Sequence, residues 1–92
     1  MHQHHDKKAC EDTGWVAQES DDVTFHNSQD HPITVHQAGS HKWPFKPNGP
    51  YVIDALKTKD CQIVPGLPAD TYHYELDGCP PSKGAPKTVI IS

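Results

Sequence analysis

Ninety-two residues, of which 34% are apolar, supply one domain with a thin core. Nine prolines and six glycines exclude long helices and coiled coils, since an interior proline costs a helix about 3 kcal/mol. Eight Lys/Arg against twelve Asp/Glu leave no basic stripe for nucleic acid, and no apolar run approaches the roughly 20 residues that cross a bilayer, so neither partner is expected.

In chain order, residues 1–13 are polar and aperiodic and read as a flexible His-rich tail before a single domain over 14–92. Trp15-Val16-Ala17 is a weak first strand, ended by Glu19-Ser20-Asp21-Asp22. Val23-Thr24-Phe25-His26 alternates, as does Ile33-Thr34-Val35-His36, with a loop over 27–32 between them. Residues 37–50 hold three prolines and two glycines and form an irregular excursion. Tyr51 to Leu56 and Cys61 to Val64 are further strands, with one helical turn allowed around Ala55 to Lys59. Thr71 to Leu76 places Tyr72, Tyr74 and Leu76 on one face. A loop over 77–86 leads to the last strand, Thr88 to Ile91. About seven short strands divided by turns predict an all-β, Greek-key β-sandwich. The expected core is Val23, Phe25, Ile33, Val35, Ile53, Ile63, Leu67, Tyr72, Tyr74, Leu76, Val89 and Ile91.

Eight histidines set the chemistry in view. Their protonation takes the net charge from −4 to +4, reversing the surface potential at mildly acidic pH. His2, His4 and His5 lie in the tail. As a solvated end or a tag remnant they carry no chemistry. If the chain starts at His2, however, its amine, two amide nitrogens and the His4 ring make a square-planar set suited to Cu(II), with His5 as an added ligand. His26, His31, His36 and His41 recur every five residues. Because the strand period is two, His26 and His36 point outward and the spacing builds no single site, although a two-histidine metal site across strands stays open. His73, between Tyr72 and Tyr74, also faces out.

The adjacent Asp21 and Asp22 read as a solvated turn rather than a catalytic pair. No nucleophile motif or phosphate-cradling glycine loop is present, so an enzyme is not expected. Trp43-Pro44-Phe45 either caps the core or presents a binding surface. Three cysteines allow one bridge. Cys61–Cys79 is expected, on the premise that the two strands between them form a hairpin; Cys10–Cys79 and Cys10–Cys61 are the alternatives. No signal peptide is visible, so the chain is either cytosolic or a mature form to which Met1 was added as a start; a thin-cored, cysteine-bearing chain favours the second, a periplasmic or secreted protein.

Val23-Thr24-Phe25-His26-Asn27 followed by Pro32-Ile33-Thr34-Val35, Leu67-Pro68-Ala69-Asp70-Thr71-Tyr72-His73-Tyr74, and Lys87-Thr88-Val89-Ile90-Ile91 together resemble cupredoxins of the plastocyanin kind. The resemblance covers 23–36 and 67–92 and implies a type 1 copper site of two histidines, a cysteine and a methionine. The corresponding places hold Ile33, Leu76, Cys79 and a residue near Gly84, and the sole methionine is Met1. Shifting the register to recruit His31 or His36 still leaves no histidine after Cys79. The expectation is therefore a monomeric, extracytoplasmic, cupredoxin-like module without that copper site, binding a protein or small ligand. The alternative is a carrier of Cu(II) or another divalent transition metal on tail and surface histidines.

Overall fold

The computed structural model describes residues 2–81 and 86–92. Expectations that concern Met1 and the Gly84 place lie outside them. Nine strands and no α-helix are found among the described residues: β1 His4–Lys8, β2 Gly14–Ala17, β3 Asp22–His26, β4 Ile33–Gln37, β5 Phe45–Lys46, β6 Tyr51–Ile53, β7 Thr58–Ile63, β8 Asp70–Asp77 and β9 Lys87–Ile91. They form two packed sheets, ordered β1-β3-β7-β5 and β2-β9-β8-β4-β6. The β1–β3 and β2–β9 pairs are parallel and the rest are antiparallel. Every connection except β8–β9 passes from one sheet to the other.

The two-residue period explains this layout. In β8, Tyr72, Tyr74 and Leu76 are buried while His73 and Glu75 are half-buried on the opposite face. All twelve expected core residues are buried together. They are joined by Ala9, Cys10, Trp15, Ala17, Phe45, Tyr51 and Cys61. Burying each large apolar side chain contributes about 1.5–3 kcal/mol. An aromatic cluster fills the centre: Phe45 meets Trp15, Phe25 and Tyr74 with ring centroids 6.3, 5.3 and 5.4 Å apart. The Trp15 indole N–H donates to the Tyr74 hydroxyl at 2.9 Å, satisfying both buried polar groups.

Several expectations are corrected. Within the span expected as a flexible tail, 1–13, His4–Lys8 is instead an edge strand running parallel to β3, with His4 opposite Asp22 and Lys8 opposite His26. Ala9 and Cys10 are then buried. No apolar alternation announces β1, because it is held by backbone pairing and by Asp21. The strand expected over Tyr51 to Leu56 ends at Ile53, where a turn closed by Lys57 N–H donating to Asp54 C=O replaces the helical turn. The following strand starts earlier, at Thr58.

The expected Cys61–Cys79 bridge is not made. Cys10 and Cys79 are bonded, with Cα atoms 5.5 Å apart, and Cys61 is a buried free thiol. The hairpin premise fails because β7 and β8 belong to different sheets. Cys61 sits within β7 facing the core, whereas Cys79 lies past the end of β8, where the chain following β1 arrives.

Candidate functional site

Three regions bear on function: the outer face of the β1-β3-β7 sheet, the end of the sandwich at Cys79, and a cleft beside Trp43.

On the first, strand alternation points His4 and Asp6 of β1, Thr24 and His26 of β3 and Asp60 of β7 to one side. Register sets Asp6 beside Thr24 and Thr24 beside Asp60. His26 Nε2 lies 3.0 Å from Asp6 Oδ1, and His4 Nε2 lies 3.8 Å from the same oxygen. His4 Nε2 also lies 2.8 Å from Thr24 Oγ1, whose hydroxyl donates to Asp60 Oδ1 at 2.7 Å. The His26 hydrogen bond holds the Asp6 carboxyl below the usual carboxylate range. Thus two of the histidines singled out in the sequence, His4 and His26, meet at one carboxylate.

The others do not join them. His2 is exposed. His5, one residue from His4, points to the other side of β1: its Nε2 lies 2.8 Å from Asp21 Oδ2, and its ring is 5.7 Å from Trp15. Asp21, expected on a solvated turn, is 1% exposed and also accepts from the Gln3 and Gln18 amides. The Gln3 nitrogen that a square-planar tail chelate needs is therefore already donating to Asp21, at 2.9 Å. His36 lies on the second sheet, with Nδ1 3.0 Å from Gln37 O and Nε2 3.3 Å from Asp77 Oδ2, the latter without hydrogen-bond geometry. Among the described residues, no three His, Cys, Asp or Glu are arranged to hold a metal.

At the second region, Ile33 and Leu76 are buried in the apolar core and Cys79 is in the disulfide. Gly78 (φ +94°) packs so closely on Pro32 that a Cβ would stand 2.8 Å from its carbonyl oxygen. His31 Nε2–H donates to Gly78 O at 2.6 Å, which with Asp30 raises its pKa above the ordinary histidine value. At three of the places compared above with copper ligands, then, Ile33 and Leu76 supply apolar packing and Cys79 a covalent staple.

The third region is an open cleft of about 420 Å³ lined by His36, Gln37, Gly39, Trp43, Asn48, Gly49 and Pro50. Trp43 and Phe45, paired as a candidate surface, have separate fates. Phe45 is 1% exposed and belongs to the core, because β5 pairs with β7 and turns it inward. Trp43 is only half-buried, propped edge-on by Phe45 and Tyr51 at 5.2 and 5.3 Å. A Cβ on Gly49 would lie 2.7 Å from the indole, so glycine lets the loop close against Trp43. Gln37 and Asn48 were missed in the sequence because their approach to Trp43 depends on how the 37–50 excursion folds back.

The chain matches no protein-family model and has no significant match among curated proteins.

Proposed function

We propose that the chain is a small extracytoplasmic binding module on a cupredoxin-like frame, without a type 1 copper site, and that it takes its ligand beside Trp43. The cleft carries this reading. It combines a propped indole with the side-chain amides of Gln37 and Asn48 and the His36 ring, and among the described residues no Lys, Arg, Asp or Glu lines it. An apolar wall with a few hydrogen-bonding groups is the usual make-up of a ligand site. The complementary ligand is uncharged and amphipathic, with a flat apolar face for the indole and hydroxyls or amides for the two side chains. The two packed sheets are compatible with a cupredoxin-like frame. The disulfide supports an oxidising compartment. The test is amide and indole NMR during titration with neutral oligosaccharides and, separately, with an uncharged proline-containing peptide. Shifts at Gln37, Trp43 and Asn48 that vanish in Trp43→Ala are expected. Binding that survives Trp43→Ala would overturn the cleft.

A second reading, transition-metal binding through tail and surface histidines, draws support from the meeting of His4 and His26 at Asp6. Zinc titration of His4→Ala and His26→Ala tests it, with weaker binding expected in both and unchanged binding against it.

A further inference from the structure

On the outer face of the second sheet, His41 and His73 come together with ring centroids 4.8 Å apart and planes tilted by 59°. The topology explains the meeting. β4 ends at Gln37, opposite Tyr74, so the chain leaves β4 beside His73. The turn after β4 is closed by His41 N–H donating to Ala38 O at 2.9 Å, and the Gln37 side-chain amide donates to His41 O at 2.6 Å. Both backbone groups of His41 are thereby held. His41 is exposed, so apolar burial does not account for the contact.

The geometry points to a two-histidine anchor for a divalent transition metal, formed by His41 and His73. Two imidazoles bound at about 2.0–2.1 Å and roughly 90–110° to one another on a metal have ring centroids about 4.5–5.2 Å apart. The observed 4.8 Å falls within that span. Thr88 Oγ1 lies 3.4 Å from His73 Nδ1; in the tautomer that donates to this hydroxyl, Nε2 keeps the lone pair with which a metal would be bound. Glu75, two residues along the same face, adds negative potential and stands opposite His36 in register. Imidazole donors select zinc, copper or nickel over magnesium or calcium. Two protein ligands leave coordination positions for water or for a donor from a bound partner, which suits a surface anchor rather than a resident cofactor. The site is distinct from His4 and His26; it shares Gln37, which holds His41 O, with the Trp43 cleft, but neither His41 nor His73 lines that cleft.

The probe is zinc chloride, titrated into the intact chain by calorimetry and followed by histidine ring NMR. Wild type is expected to bind zinc with shifts of both the His41 and His73 rings. His41→Ala and His73→Ala should each weaken that event by about 10- to 100-fold or more, at least the cost of disturbing a ligand's supporting partner. The double variant should abolish the event, and His4→Ala with His26→Ala should leave it intact. His41→Gln and His73→Gln, which keep a polar side chain, should behave as the alanine variants do. Zinc binding unmoved by changes at 41 and 73, zinc shifts confined to other histidines, or no zinc bound would overturn the assignment. Loss only in the His4 and His26 variants would do so while supporting the second reading above.

Discussion

His5 Nε2 stands 2.8 Å from Asp21 Oδ2, and this contact ties the first strand to the turn between β2 and β3. Asp21 also accepts from the Gln3 amide on one side and the Gln18 amide on the other. Burial acts to raise its pKa, but the bonds from His5, Gln3 and Gln18 outweigh it and hold the carboxyl below its ordinary 3.8.

Asp21→Ala should destabilise the fold by about 3 kcal/mol, because three donors lose a buried acceptor. Urea unfolding measures this. A lowered folded-state pKa means that the carboxylate's stabilisation is present above 3.8 and lost as pH falls through the folded value. The wild-type advantage over Asp21→Ala should therefore shrink on moving from pH 7 to pH 3. An equal difference at both pH values would remove Asp21 as the clamp.

The Cys10–Cys79 bridge spans 69 positions of sequence, and its loss should cost about 4 kcal/mol. Cys10→Ser and Cys79→Ser should show similar losses in midpoint. In the unreduced protein, one thiol should be detected after denaturation. Burial pushes the Cys61 thiol up to about 12, so alkylation at pH 8 should be very slow until the chain unfolds. Rapid labelling of native Cys61, or two or more free thiols, would contradict the arrangement.

Tyr74→Phe leaves the Trp15 indole N–H without its acceptor inside the core. The expected cost is about 1–3 kcal/mol by chemical denaturation, with little change in overall secondary structure. Trp15 fluorescence should shift only slightly, since the ring stays packed on Phe25 and Phe45. A neutral substitution would mean that the indole finds another acceptor.

His31 should titrate above 6.5, chiefly through its bond to Gly78 O and secondarily through Asp30. With the folded pKa raised, its stabilising contribution is full below the unfolded value and is lost as pH rises through the folded one. Histidine NMR should show the elevated midpoint. Asp30→Asn should lower it only in part, because the Gly78 contact remains. A midpoint at or below 6.5 would exclude both bonds in solution.

Alternation carried the fold class and the inner faces. Val23 with Phe25, Ile33 with Val35, and the Tyr72-Tyr74-Leu76 series are legible because a strand's side chains project to opposite sides at a period of two. The same parity set His26 and His36 outward. β1 left no such signal: its inner residues are His5 and Lys7, and the cation of Lys7 rests 5.1 Å from the Trp15 ring in place of an apolar contact.

What the amino-acid order determined by itself is therefore local: which residues face in, where turns fall, and that histidines crowd the surface. Only the tertiary structure decided which distant pieces meet. Passage from one sheet to the other after β7 separates Cys61 from Cys79, and the arrival of the post-β1 chain gives Cys79 to Cys10. The turn after β4 brings His41 to His73, thirty-two positions away, and backbone pairing brings Asp6 to His26. Side-chain parity is a property of neighbouring peptide units, but these encounters depend on sheet order and register, which backbone hydrogen bonds and the packing of the whole core select together.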